Sequence, residues 1–276
     1  MLKKISLILL LLILLAAGAY FASENMGINI PVVSDLIDQV KPADEAGELP
    51  EDGEPFDLTA VFTPNQDGYQ FRNYSSRYPE GNLTIEDARA MFGDAVCTRL
   101  DGDTCVPHPN VVTWIESMNE TMNEVGHCVG FTVSSDQLHT DIRSVAALGA
   151  DKTFALEQEE LVLRTISQAY ASYYASNVWP QEVTDKTPTE IVEALLALGG
   201  PADIGIYYPK YGRNGHSILG HSVVEQGDGI YHIVVYDSNR PGEDNIIVVD
   251  TNQDTWFYAD AAVNPDQPSG DYQGDA

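Results

Sequence analysis

The chain is poor in cysteine and in basic residues. It contains three cysteines, and its 14 lysines and arginines are outnumbered by 42 acidic residues, which gives a net charge of −28. Such an excess of negative charge argues against nucleic acid or an anionic membrane surface as a partner, because both would repel the protein. The composition therefore excludes a nucleic-acid-binding protein and fits solubility outside the cell.

Long apolar runs are scarce too, and the clearest one stands at the start of the sequence. Residues 5–22 follow Lys3 and Lys4, contain almost no polar residue and end in small residues. The pattern is typical of a secretory signal peptide, and its length also reaches the lower limit for a membrane-spanning helix. We expect residues 1–22 to be a cleaved signal peptide or an uncleaved membrane anchor. The rest of the chain is then extracellular, either secreted or tethered to the outer face of the cytoplasmic membrane.

The remaining sequence divides into three parts by composition. Residues 23–55 are acidic and rich in proline, as in a linker, and residues 259–276 are expected to form a disordered acidic tail. Residues 56–258 are long enough to form one domain with a sizeable core. Helical patterns fill its first half and strand patterns its second half, so we predict the α+β class, with a helical half packed on an antiparallel sheet.

The periodicity of apolar residues predicts individual elements within this domain. The predicted helices cover residues 84–92, 110–125, 128–138, 156–178 and 189–198, and the predicted strands cover residues 204–208, 221–225, 230–237 and 245–250. Asp228 and Gly229 separate two of these strands and predict a tight hairpin turn.

The three cysteines have two different explanations. Cys97 and Cys105 flank a short polar stretch with a turn signal, and in an exported protein we expect them to form a disulfide. Cys128 is then unpaired, and a free thiol in an exported protein requires a reason.

The surroundings of Cys128 indicate a nucleophile. It lies in the run GHCVGF at residues 126–131, where one predicted helix ends and the next begins. The free N–H groups at a helix N-terminus stabilise a thiolate and can bind the oxyanion of a tetrahedral intermediate.

A cysteine nucleophile needs a base and a group that orients the base. His221 is our predicted base, because it begins a predicted strand, whereas His216 follows a loop-like stretch and His127 is adjacent to the cysteine. Asp237 and Asn239 end the next strand, and either could accept the imidazole N–H. The sequence thus predicts a catalytic group of Cys128, His221 and either Asp237 or Asn239.

These segments resemble bacterial papain-like cysteine peptidase domains, in particular the bacteriocin-processing branch. The resemblance rests on residues 126–131, 220–224 and 227–239, together with the segment 68–74 and the cysteine pair ahead of Cys128. It implies a papain-like fold, a peptide or protein substrate, and no metal or organic cofactor.

The sequence departs from that family where an oxyanion donor is expected. Papain-like enzymes usually place a glutamine a few residues before the nucleophile, and residues 121–125 contain none. Asn123 is our predicted substitute, and Asn119 and Asn73 are further candidates.

The leading hypothesis is therefore an exported cysteine peptidase or related acyl-transfer hydrolase. The alternatives are a non-catalytic peptide-binding or protein-binding module on the same fold, and a cell-wall amidase or transglutaminase-like Cys–His enzyme. The sequence leaves the oligomeric state open.

Overall fold

The computed structural model describes residues 61–175, 186–207, 215–261 and 270–275. The predicted signal peptide or anchor (1–22) and the predicted linker (23–55) lie outside these residues. Within them, the α-helices are α1 (Pro64–Asp67), α2 (Ile85–Phe92), α3 (Pro109–Val125), α4 (Cys128–His139), α5 (Glu160–Ala175) and α6 (Pro188–Leu198). The strands are β1 (Cys97–Asp101), β2 (Thr104–Pro107), β3 (Ala202–Tyr207), β4 (Gly215–Gly227), β5 (Ile230–Tyr236), β6 (Asp244–Asp250), β7 (Thr255–Ala261) and β8 (Gly270–Asp275).

Local sequence signals set the ends of several helices. The Thr84 hydroxyl accepts the N–H of Asp87 while the Asp87 carboxylate accepts the N–H of Thr84, a reciprocal cap that starts α2. Thr187 and Glu190 form the same arrangement at the start of α6. Gly126 ends α3 with a φ of 98°, a conformation that favours glycine. The turn between α3 and α4, which carries the nucleophile candidate, is therefore encoded locally.

The second half of the chain forms one antiparallel sheet in which neighbours in sequence are neighbours in space. The strand order is β3-β4-β5-β6-β7-β8. Asp228 and Gly229 both have positive φ at the β4–β5 turn, as the sequence predicted. One face of the sheet buries a core with α6, formed by Val192, Leu195, Ile204, Ile206, Ile218, Ile233, Val235, Ile247, Val249, Tyr258, Ala261 and Tyr272.

Close packing of α4 against α5 fixes the position of the nucleophile helix. Gly130 lies so near the backbone oxygen of Ile166 that an added Cβ would overlap it. Phe131, on the same helix, is fully buried in a cluster with Leu163 and Ile166. Gly130 thus serves helix packing, because any larger residue at this position would push α4 away from α5.

The structure confirms the α+β class and the pairing of Cys97 with Cys105. These cysteines are disulfide-bonded, with Cα atoms 5.4 Å apart, across the β1–β2 hairpin. Within the described part of the chain, no helix is both long and apolar enough to span a bilayer.

Two expectations about the sheet were wrong. The tail after residue 258 is not wholly disordered, because β8 pairs with β7 and Tyr272 is buried in the core. The strand predicted at residues 221–225 begins earlier, at Gly215. This second difference changes the assignment of the catalytic base.

Candidate active site

Cys128 is the first residue of α4 and is buried, with 6% of its surface exposed. It is the free cysteine among the described residues. No side chain caps the start of α4, where His127 holds the N-cap position. The first N–H groups of a helix have no partner within the helix, so they are directed at whatever group lies beside Cys128.

The histidine that accompanies Cys128 is His216. It is the second residue of β4, and its Nε2 lies 2.8 Å from Oδ1 of Asp237. Both side chains are almost completely buried, at 0% and 1% exposure. Nδ1 makes no hydrogen bond of regular geometry with the described residues, but Cys128 is close enough to raise the pKa of the ring.

Electrostatics make His216 and Asp237 a charged pair. Burial opposes protonation of His216, but the charge and hydrogen bond of Asp237, followed by those of Cys128, raise its pKa to about 10. Burial likewise opposes ionisation of Asp237, but His216, Tyr258 and the N–H of Asn239 together hold its pKa below the ordinary value. The arrangement therefore favours imidazolium facing carboxylate near neutral pH.

Asp237 is held by two further donors. The hydroxyl of Tyr258 donates to Oδ2 at 2.6 Å, and the main-chain N–H of Asn239 donates to Oδ1 at 2.8 Å. The Asn239 side chain lies beside the same imidazole, with Nδ2 3.4 Å from Nε2 of His216. The sequence left two candidates for the group that orients the histidine. Asp237 makes the shorter contact with His216, and the Asn239 side chain lies next to it.

The choice of His221 as base is corrected by this geometry. Nε2 of His221 lies 3.1 Å from Oδ1 of Asp244, not near Asp237, and its ring packs against Phe62. A bulge in β4 leaves His221 between the pairs Gly220–Val235 and Ser222–Val234, so simple alternation along the strand does not predict its direction. Burial lowers the pKa of His221, and Asp244 only partly offsets this.

The predicted oxyanion donor Asn123 has a different partner. Its Nδ2 donates to Oδ1 of Asn82 at 3.3 Å, and the Asn119 amide is hydrogen-bonded to both main-chain groups of Leu83. Both asparagines therefore join α3 to the loop before α2, and among the described residues their hydrogen-bond partners are Asn82 and Leu83.

Asn73 is the asparagine that reaches the nucleophile segment. Its Oδ1 accepts the N–H of His127 at 2.9 Å, and its own N–H donates to the carbonyl oxygen of Ser238 at 2.8 Å. It therefore bridges the residue before Cys128 and the residue after Asp237.

His127 is a structural neighbour of the site. Its Nδ1 lies 2.9 Å from the carbonyl oxygen of Tyr74, and burial lowers its pKa to about 4. The ring packs on the Tyr74 ring at a centroid distance of 4.3 Å. A neutral, hydrogen-bonded imidazole of this kind does not compete with His216 for the role of base.

Tyrosines surround the candidate nucleophile. The pKa values of Tyr170, Tyr174 and Tyr272 are raised, first by burial and in part by the charge of Cys128. Tyr272 belongs to β8, the strand that the sequence analysis assigned to a tail. Low solvent access strengthens the electrostatic interactions of the Cys128–His216–Asp237 group.

From the sequence, His216 was set aside in favour of His221, Asn73 was named only as a further oxyanion candidate, and Tyr258 was not recognised. A signal for His216 was present, because the apolar residues Ile218 and Leu219 follow it and extend the strand pattern back toward Gly215. Tyr258 and Asn73 come from distant segments and carry no local signal. Among the described residues, no group of three or more His, Cys, Asp or Glu side chains is arranged to hold a metal ion.

Comparison of the chain with protein-family models, with curated proteins and with solved structures gave no match.

Proposed function

We propose that this chain is an exported cysteine peptidase, or a related acyl-transfer hydrolase, that uses Cys128, His216 and Asp237. The observation that carries the proposal is the buried His216–Asp237 pair, whose imidazole also interacts with Cys128 at the start of α4. A cysteine beside a histidine that an acid orients points to acyl-transfer chemistry more closely than any of the three residues alone.

In the proposed reaction, the sulfur of Cys128 attacks a substrate carbonyl. The Sγ–C bond forms and the carbonyl electron pair moves onto oxygen. The intermediate then collapses, the C–N bond breaks, and the His216 imidazolium gives its proton to the leaving nitrogen. Water, deprotonated by the now neutral His216, attacks the thioester, and the acid product leaves as Cys128 is restored.

The contacts assign a separate task to each nitrogen of His216. Nε2 faces Asp237, so Nδ1 is the atom available to Cys128 and to the leaving group. Asp237 fixes the ring orientation and stabilises the imidazolium form, as the third member of such groups does. A ring with a raised pKa suits an enzyme whose histidine begins the cycle protonated.

A papain-like fold and an extracellular location are part of the proposal. The helical half with a cysteine at a helix N-terminus, followed by an antiparallel sheet carrying histidine and then aspartate, supports the former. The Cys97–Cys105 disulfide and the apolar run at residues 5–22 support the latter.

Alkylation of Cys128 by iodoacetamide or an epoxysuccinyl inhibitor tests the proposal. We expect rapid, stoichiometric labelling near neutral pH that slows strongly in His216→Ala and stays at the parent rate in His221→Ala. The second histidine is a matched control, because it lies on the same strand and has its own aspartate. Labelling no faster than a free thiol, or equally fast in both variants, contradicts the proposal.

Substrate tests then separate the remaining alternatives. Cleavage of casein supports a peptidase, release from peptidoglycan fragments supports a cell-wall amidase, and cross-linking of casein to an added amine supports a transglutaminase-like enzyme. A reactive Cys128 without turnover of any of these would support a non-catalytic module.

A further inference from the structure

The side-chain amide of Asn73 is held in one orientation. Asn73 is 4% exposed, and its Oδ1 accepts two main-chain N–H groups, from Tyr74 at 2.8 Å and from His127 at 2.9 Å. Because both partners are donors, the atom between them must be the oxygen, and the amine end of the amide must point the other way.

That amine end is left unpaired. Nδ2 of Asn73 is buried and has no hydrogen-bond partner among the described residues. A buried donor without an acceptor has lost its hydration and gained no partner, so such groups are uncommon in stable proteins and indicate a functional role when they occur beside a reactive group. Asn73 is hydrogen-bonded to the residue that precedes the nucleophile Cys128.

The backbone of Asn73 fixes its place relative to the other catalytic groups. Its N–H donates to the carbonyl oxygen of Ser238, which directly follows Asp237. Asn73 is therefore hydrogen-bonded both to the turn before Cys128 and to the segment after Asp237. These two bonds fix its position relative to the nucleophile and to the acid. A transition-state donor requires this rigidity, because it must be in place before charge develops.

We propose that Nδ2 of Asn73 donates a hydrogen bond to the oxyanion formed at Cys128. This proposal rests on the proposed function. The main-chain N–H of Cys128, at the first position of α4, is the second donor. Asn73 then supplies the hydrogen bond that the missing glutamine before Cys128 cannot, although it lies far away in the sequence. The side-chain amides of Asn123 and Asn119 instead donate to Asn82 and to the carbonyl oxygen of Leu83.

Two reactions at the same sulfur test this assignment. Alkylation by iodoacetamide displaces iodide from a saturated carbon and creates no oxyanion, whereas acylation by p-nitrophenyl acetate does create one. Asn73→Asp keeps an oxygen for the two N–H groups but removes the donor. In Asn73→Asp, we expect the ratio of the acylation rate to the alkylation rate to fall on the order of 10²-fold below that of the parent protein.

Two further variants make the result unambiguous. Asn73→Ala should lower the same ratio, which shows that the lost donor and not the added charge is responsible. Asn123→Asp is the matched control and should leave the ratio unchanged. Thermal melts of each variant report whether the fold is kept.

The outcomes distinguish this proposal from the proposed function. An unchanged ratio in Asn73→Asp and Asn73→Ala, or equal loss of both reactions, overturns the role of Asn73 as an oxyanion donor even if alkylation still depends on His216. Alkylation that does not depend on His216 in the parent protein overturns the proposed function itself, and this is measured without any Asn73 variant.

Discussion

The two histidines of β4, His216 and His221, each face an aspartate, and the two pairs differ in their surroundings. His216 and Asp237 are both buried, at 0% and 1% exposure, whereas His221 is 5% exposed and its partner Asp244 is 61% exposed. The pKa of His216 is raised, but that of His221 is lowered. A histidine and an acid in contact are therefore not equivalent sites, because the position of the acid decides whether its charge is screened by water.

The comparison also explains why only one pair suits catalysis. Asp237 is fixed by Tyr258 and by the N–H of Asn239, so its carboxylate cannot turn away from His216. Asp244 projects into solvent, where surface ion pairs contribute little. Cys128 also contributes to the raised pKa of His216.

The largest expected difference between the pairs is in turnover. His216→Ala removes the proposed acid and base, and we expect the rate of casein cleavage to fall roughly 10²–10⁴-fold. His221→Ala should cleave close to the parent rate. Initial rates measured by mass spectrometry of the released peptides check this, and equal losses in the two variants would remove the distinction between the pairs.

Substitution of the two aspartates, Asp237 and Asp244, should give the same contrast in rate as substitution of the histidines. The effect should be smaller, because each aspartate acts only through its histidine. We expect Asp237→Asn to slow acylation of Cys128 by p-nitrophenyl acetate and Asp244→Asn to leave it unchanged. The pH–rate profile is the diagnostic readout, because loss of Asp237 should move the histidine-dependent limb to lower pH. If Asp244→Asn shifts the pH–rate profile and Asp237→Asn does not, the assignment of Asp237 as the orienting acid is wrong.

The two histidines should titrate on opposite sides of the ordinary histidine pKa. His216 is expected to stay protonated until the pH approaches about 10, and His221 to be neutral at pH 7. The His216 pair should therefore add stability below about pH 6.5, an effect lost as the pH rises through about 10. His221, whose pKa is lowered, should have the opposite effect on the free energy of unfolding. Its contribution is present above the ordinary histidine pKa and is lost as the pH falls below it.

Ring carbon chemical shifts from NMR, assigned with His216→Ala and His221→Ala, measure both titrations. In Cys128→Ser we expect the pKa of His216 to fall, because Cys128 is one of the groups that raise it. A His216 that titrates near pH 6.5 in the parent protein would contradict the charged pair.

The smallest effect concerns the support of Asp237. Tyr258→Phe removes the 2.6 Å hydrogen bond to a buried carboxylate, and we expect a loss of about 1.5–3 kcal/mol in the free energy of unfolding. Urea denaturation measures it, with Tyr231→Phe, a partly buried tyrosine packed against the same core, as control. Equal losses would show that the hydroxyl of Tyr258 has no special role.

Much of the architecture follows from local sequence. Three features depend only on residues a few positions apart: the turn between α3 and α4, the Asp228–Gly229 hairpin and the capped start of α2. Such features can be predicted from the sequence alone. The pairing of Cys97 with Cys105 could be predicted for the same reason, because the two cysteines flank one short turn, and this left Cys128 as the unpaired cysteine.

The base could not be assigned this way. His216 and His221 occur in identical Gly-His-Ser triplets, and the choice between them depends on where β4 begins and where its bulge lies. The edges and bulges of a strand are set by its partners, here β3 and β5, rather than by its own residues.

By itself, the sequence determined the α+β class, the free thiol at a helix start and the order of cysteine, histidine and acid along the chain. The tertiary structure decided which histidine meets that thiol and which aspartate is buried enough to hold a charge. It also brought Asn73 to the turn before Cys128. The physical reason is that propensities and turns act between near neighbours, whereas desolvation and contact distance depend on chain segments that only folding brings together.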